Sequence, residues 1–475
     1  MARYLRLVPV MLIIFFTFFV IYTPHFNYAV PFHVDEWRHI SEAKRIYEGS
    51  EYGAYTCFEI GFHMALSSVY FAGIDIVLIY KYLPAVFACI SAAIIFIILS
   101  KKFNYITGLC GMLFFASLRS NVNLLGSWFF TPLTFALPFM LLFAYFFTEG
   151  IERHSNKKFI ISLAFLLLTF FSHPITATFL IPAVAIYVCI KRDFFRQNCR
   201  MVQLLAGTAL IGFLFFIIVS WKGSFFETFS FLLKQLYFPY GWGNYEKIYS
   251  VPGYFNIVLF IFAIIGAYFS VRKKQYFFLL WAATTLLFVW LFPIIKFSLF
   301  APYQRMFFYT LVALSMLAAI GFCYTWIILR NSMPYLKSHS IISGVIFALL
   351  LLFLVLYIFK GYNVMPEDVM LYAPLELDDL RAVVSLKGLP SSVVLARAYL
   401  STAIYPLTGH SPVATPYFYG NSEARDDLNS FFSSNCTVQE EIIEKYNASY
   451  VISPDEIECS WQVFYKGNRF IYAFT

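Results

Sequence analysis

The chain has 475 residues, of which 60% are hydrophobic, 21% aromatic and only 13% charged, with a formal net charge of +8. A soluble globular domain carries about 25% charged residues, so a chain with this few cannot cover a water-facing surface and reads as a polytopic membrane protein. Much of its positive charge lies in short clusters between apolar runs, where it marks the cytoplasmic side of a membrane, so the basic excess does not point to a nucleic-acid partner.

The first apolar run, Leu5 to Tyr22, follows arginines and has no small-residue cleavage site after it. It is expected to be a retained span rather than a removed signal peptide. Spanning takes about 20 predominantly apolar residues. About eleven stretches qualify: 5–23, 77–99, 104–119, 129–148, 158–172, 174–190, 201–220, 254–270, 276–295, 306–329 and 341–359. With the N-terminus inside, Lys101 and Lys102, then Arg153, Lys157 and Lys158, fall on the cytoplasmic side. So do Lys191, Arg192, Arg196 and Arg200, then Arg272, Lys273 and Lys274, and finally Arg330 and Lys337, as the positive-inside bias requires. Counting "CFEIGFHMALSSVYFAGID" at residues 57–75 as a further span would move all these loops outside. That stretch is therefore expected as an amphipathic helix at the outer interface.

The segment "PFHVDEWRHISEAKRIYEG" at residues 31–49 holds the densest ionisable cluster in the chain. Ile40, Ala43, Ile46 and Tyr47 recur at helical spacing, which predicts a helix lying flat on the membrane with Asp35 and Glu36 at its start. Carboxylates held there suit a general base toward a hydroxyl acceptor, or ligands for a divalent cation. They equally suit the first turn of a helix, where its dipole favours negative charge.

From about Gly361 the composition changes abruptly, and residues 361–475 read as a small external α/β domain following a transmembrane domain at 1–360, whose first external loop is 24–76. "SSVVLA" and "ASYVIS" look like buried strands, "EARDDLNSFF" and "TVQEEIIEKY" like helices, and "WQVFYKGNRFIYAF" like a hairpin turning at Lys466 to Asn468. The eight cysteines form no CxxC pair or zinc spacing. Cys436 and Cys459 lie in the polar tail, where an oxidising compartment would let them pair. Two N-x-[ST] sequons, at Asn435 and Asn447, also lie there.

Away from their ends the expected spans contain no Asp, Glu, Lys, Arg or His. Ion-coupled transporters need such groups, or broken helices, near the midplane. The ionisable residues collect instead toward the outer face, which favours a reaction between a lipid-borne substrate and an external acceptor over a lipid-linked glycan flippase or exporter. A membrane O-acyltransferase needs a deeply embedded histidine, and a non-catalytic cell-surface assembly protein would leave the tail to do the binding.

An Asp-Glu pair after the first span, a helix of the "EAKRIYEG" kind and a second helix ending near "FAGID" resemble the GT-C superfamily of integral membrane glycosyltransferases. "SHPITA" at 172–177 and "PYQRMFFYTLVALSMLAAIGF" at 302–322 extend the likeness. The nearest branch is that of protein O-mannosyltransferase-like and aminoarabinose-transferase-like proteins, particularly archaeal ones. No WWDYG-like motif of the oligosaccharyltransferase catalytic subunit is present.

The resemblance implies a GT-C-like fold with about 11 transmembrane helices, interfacial helices in the first external loop and a small soluble domain. It implies transfer of a sugar from a polyprenyl or dolichyl phosphate carrier to an external glycan, lipid or protein at the plasma membrane, with the C-terminal domain outside. By position, Asp35 would be the carboxylate at the heart of the site and general base for the acceptor, with Glu36 beside it. Arg305, Lys296 and Arg119 would contact the donor phosphate. For Arg305 a planar fork matched to phosphate stands against a snorkelling helix-end arginine. His63, His173, Tyr240, Trp242 and Tyr303 are candidate substrate contacts. For His173 the alternative is a cap or hydrogen-bonded structural residue, and for the aromatic segment at 233–254 an interfacial belt. A divalent cation, magnesium or manganese, held by Asp35, Glu36 and His33, is the cofactor to test, although the spacing matches no standard zinc site.

Overall fold

The computed structural model describes residues 7–26, 28, 30–50, 59–118, 120, 126–219, 224, 226–227, 230, 237–238, 250–359, 375–415 and 422–474. Two compact units emerge. One comprises Met1–Pro24, Phe58–Phe62 and Tyr82–Val364; the other His25–Cys57, His63–Lys81 and Met365–Thr475. Most of the first external loop, apart from Phe58–Phe62, thus clusters with the C-terminal segment.

The first unit is a bundle of apolar helices. Five helices, Leu7–His25, Leu83–Lys102, Pro132–Glu152, Tyr276–Ile295 and Tyr303–Ser332, are long and apolar enough to cross a membrane, so the protein is multi-pass. Each of the other expected stretches also contains helix, including Asn156–Ser172, Ile181–Ile190, Cys199–Val219, Ile257–Arg272 and Ser340–Phe359. The helix Tyr303–Ser332 is buried continuously from Tyr303 to Cys323. Its neighbour Ile257–Arg272 approaches so closely that a Cβ built on Gly266 would lie 1.8 Å from the Leu317 carbonyl oxygen, and one on Gly321 1.8 Å from that of Phe262. With no hydrophobic force to drive helices together in lipid, backbone approach at small residues supplies the packing. Two short strands, β1 (Tyr237–Phe238) and β2 (Ser298–Leu299), pair antiparallel.

One end of the bundle is tied by charge. Buried Glu149 accepts from Lys102 at 3.0 Å, Arg153 at 2.7 Å and Lys158 at 2.7 Å, and Lys102 also pairs with Glu152. The basic residues expected to mark the cytoplasmic loops here also join three helix ends to one carboxylate.

In the second unit, the helix Val34–Glu48 forms as its periodicity predicts and stops at Gly49, whose φ of 68° lies in the left-handed region that favours glycine. Val34, Trp37, Ile40 and Ala43 make its buried face. The helix Ile60–Phe71, expected to be amphipathic, instead carries apolar side chains on both faces: Phe62 and Leu66 are buried while Met64 and Phe71 are exposed. An amphipathic helix would have shown a polar outer stripe, so this helix suits an apolar surround on its exposed side as well.

The tail folds as a five-stranded sheet in the order β4-β3-β5-β7-β6. Its strands are β3 (Val393–Ala396), β4 (Ser411–Pro412), β5 (Ala448–Ser453), β6 (Gln462–Lys466) and β7 (Phe470–Ala473). β4, β3 and β5 run parallel, and β7 and β6 complete the sheet antiparallel. Both expected strands, both expected helices (Ser422–Phe431 and Cys436–Tyr446) and the hairpin are present. Leu395, Val451 and Tyr472 of the sheet pack with Leu428 and Phe431 of one helix and Ile442 and Ile443 of the other. Cys436 and Cys459 form a disulfide. The two sequon asparagines bracket the helix between them: Asn435 accepts from the Val438 amide at its start, and Asn447 ends it at a φ of 49°.

Candidate functional site

The candidate residues fall into two groups, one in each unit. In the loop unit, Glu36 is fully buried, and its Oε2 accepts from the Phe32 and His33 amides at 2.7 and 3.0 Å. His33 Nδ1 in turn accepts from the Asp35 amide at 3.1 Å. This is a capping box with histidine in the place usually held by serine or threonine. Glu36 and His33 therefore fix the start of the helix. Asp35, whose side chain is 38% exposed, stands 3.7 Å from His33 Nδ1 and is the acid of the pair that presents itself to solvent.

Of the metal set expected from sequence, Glu36 and His33 are engaged in the helix cap. Asp35, Glu36 and His33 do not form a metal-ligand group among the described residues, because two of the three are turned to the helix cap. Another pair in the same unit has the chemistry instead. His39 Nδ1 and His63 Nε2, both buried, lie 3.0 Å apart.

In the bundle unit, two stretches distant in sequence meet. His173 closes the helix Asn156–Ser172, and its Nδ1 hydrogen-bonds Thr176 Oγ1 at 2.6 Å. Thr176 Oγ1 bonds Tyr309 Oη at 2.6 Å, and Phe179 stacks on Tyr309 with ring centroids 3.8 Å apart. His173 Nε2 lies 4.0 Å from Glu59. Arg305, 5% exposed, stands one turn before Tyr309 on the same helix face, and its charge acts on both His173 and Tyr309. The side chain of His173 is thus hydrogen-bonded and makes no cap bond.

Tyr303 is buried and stacks on Phe292 at 4.4 Å. Lys296, exposed at the left-handed end of the helix Tyr276–Ile295, is not part of the buried group. Arg119, Tyr240 and Trp242 lie outside the described residues. Sequence reading missed Thr176 and Tyr309. Their hydroxyls sit in apolar helices, and the available signal was spacing: three residues after His173 and four after Arg305.

A buried guanidinium can receive an anion and hold it through planar, charge-assisted hydrogen bonds. A half-exposed carboxylate at a firmly capped helix start can take a proton from an incoming hydroxyl.

Comparison with known proteins bears on the fold. The pattern of the dolichyl-phosphate-mannose-protein mannosyltransferase family matches residues 69–221. No curated protein matches the chain in sequence. Among solved structures, ArnT of Cupriavidus metallidurans bound to undecaprenyl phosphate is similar at a TM-score of 0.56 and 12% identity, covering 99% of this chain and 98% of that one. The oligosaccharyltransferase AglB of Archaeoglobus fulgidus, in complex with an inhibitory peptide and a dolichol-phosphate, gives 0.55 at 13% identity over 95% of this chain and 70% of its own. An oligosaccharyltransferase of Archaeoglobus fulgidus in complex with Zn and sulfate gives 0.53 at 13% identity, covering 93% of this chain and 68% of its own. The chain thus shares its fold with ArnT and with the oligosaccharyltransferase, and residues 69–221 carry the mannosyltransferase family pattern.

Proposed function

We propose that the protein transfers a sugar from a polyprenyl or dolichyl phosphate carrier to an external glycan, lipid or protein, working at the outer face of the plasma membrane with its N-terminus cytoplasmic and its C-terminal domain outside. One observation carries the reading. Arg305 is buried in the first turn of the apolar helix that carries Tyr309, whose hydroxyl bonds Thr176, itself bonded to His173. An ionised group inside a membrane-type bundle is costly and is kept where it serves a ligand or pathway.

The reaction is a single displacement at the anomeric carbon. Asp35 takes the acceptor hydroxyl proton, the acceptor oxygen bonds to the sugar carbon, and the bond to the carrier phosphate breaks with its electrons passing to the phosphate. Arg305 neutralises that developing charge. Inversion at the sugar carbon follows from one displacement. Glu36 serves by holding the helix start, and Tyr309 and Thr176 orient His173 beside the phosphate.

A divalent cation fits His39 and His63, whose buried ring nitrogens lie 3.0 Å apart, near the separation that two imidazoles adopt on one small ion. Imidazole donors suit zinc better than magnesium or manganese, which favour oxygen. Bound there, such an ion would supply Lewis-acid charge stabilisation.

Purified protein incubated with a panel of polyprenyl-phosphate sugars should release free carrier phosphate. Asp35→Asn should lower the rate by about 10²–10⁴, and Arg305→Ala by about 10²–10³. Combining them should cost less than the product if both serve one step. Full transfer activity in Asp35→Asn would end this reading.

A further inference from the structure

The helix bearing Asp35 is gripped along its length by the C-terminal segment. Before the helix, Tyr28 Oη donates to the Leu375 carbonyl at 2.9 Å and accepts from the Leu375 amide at 3.1 Å. Toward its other end, Lys44 Nζ donates to the carbonyls of Tyr405 and Pro406 at 3.0 and 3.2 Å. These are late carbonyls of the helix Ala398–Thr408, which stops at Gly409 with a φ of 85°, and a cation there completes both hydrogen bonding and dipole. One turn on, Glu48 Oε2 accepts from Tyr405 Oη at 2.5 Å, and the Arg45 guanidinium lies 5.0 Å from the centre of the Tyr405 ring. Tyr405 itself is buried.

Its chemistry suits a fixed latch. Burial, reinforced by the Glu48 carboxylate, pushes the Tyr405 phenol up to about 12, so it stays a hydrogen-bond donor. Burial lowers Lys44 from the usual lysine value, while Glu48 acts against that. Surface ion pairs contribute little because water competes for both partners. Here a half-buried ammonium binds two carbonyls, and a buried phenol binds a carboxylate from the same helix turn. Three residues of the helix's last two turns are used, with separations of more than 350 positions between hydrogen-bonded partners.

We infer that Lys44, Glu48 and Tyr405 are positioning residues: the C-terminal domain latches the first-loop helix and so sets where Asp35 meets the acceptor. The assignment rests on the transferase reading through Asp35. It gives the tail a task in the reaction itself, in addition to any partner it recognises. A displacement of about 1 Å at a reacting group can cost up to about 10²-fold in rate, so loosening this helix should appear in turnover.

The full-length protein is compared with Tyr405→Phe, which removes one hydroxyl, with Lys44→Met, and with Lys445→Met as a control in an ion pair of the same domain away from the latch. Turnover per folded molecule should fall about tenfold in the two latch variants, with donor KM within about twofold of wild type and the control unchanged. Lys44→Arg should recover part of the loss. Unchanged turnover per folded molecule, with only the melting temperature lowered, would overturn the assignment by showing a purely structural contact. Were wild type itself inactive on every donor, the transferase reading would be the failure. The latch would then be read from hydrogen exchange over residues 34–48, where faster exchange in Tyr405→Phe upholds it and unchanged exchange refutes it.

Discussion

The bundle unit and the loop-plus-tail unit are held by opposite means. In the bundle, helices approach until Gly266 and Gly321 leave no room for a side chain, and the charged cluster described there is condensed on one buried carboxylate, Glu149. In the other unit, polar links recur across the surface: Arg469 to Asp379 at 2.5 Å and to Glu376 at 2.8 Å, Lys445 to Glu423 and Asp427 at 2.7 Å each, and the disulfide. A lipid solvent rewards close packing of small residues and penalises every unpaired charge. Water supplies a hydrophobic driving force but screens charge, so a small domain gains from covalent and networked links. Each unit reads as an adaptation to its solvent.

This contrast can be broken most severely at the glycines. Gly321→Ala would put a methyl 1.8 Å from the Phe262 carbonyl oxygen, and the loss should exceed about 4 kcal/mol, seen as failure to purify a monodisperse protein. Next comes the charged end: Glu149→Gln removes the shared partner of Lys102, Arg153 and Lys158 and should cost about 3 kcal/mol, since Lys102 is left with Glu152. Its melting temperature in detergent is the measurement, and a value equal to wild type would show that the cluster is ornamental to stability. The smallest effect should be at the tail. Cys459→Ser opens a link spanning 23 positions and should cost about 2 kcal/mol, the lower end of the typical disulfide range, confined to the second unit. Hydrogen exchange that accelerates over 436–474 but not over 303–323 would sharpen the distinction between the units.

Much of this architecture was legible in sequence where the signal is local. Apolar run length located the bundle helices, and alternation located β3, β5 and the β6–β7 hairpin. Asp35 and Glu36 were recognised together, yet their division of labour was hidden because His33 is not among the usual capping residues. The contacts between His173, Thr176 and Tyr309, and the latch on Tyr405, join positions more than 130 and more than 350 apart. No periodicity encodes such pairings, since they depend on how whole helices pack. Exposure misled in another way. The stretch 57–75 reads as an amphipathic interfacial helix, but within Ile60–Phe71 Ser67 is buried while Met64 and Phe71 face outward.

The helix Tyr303–Ser332 has 30 residues, which at about 1.5 Å per residue makes it about 45 Å long, well beyond the roughly 30 Å of a bilayer's hydrocarbon core. Arg305 lies in its first turn and Arg330 in its last, so the apolar stretch between them acts as a gauge of membrane thickness. A thinner bilayer leaves that gauge too long and is met by tilt or local thickening. Because the proposed phosphate ligand rides on one end, lipid chain length becomes a variable that reaches the chemistry, and reconstitution in bilayers of graded thickness should give a rate optimum rather than a plateau.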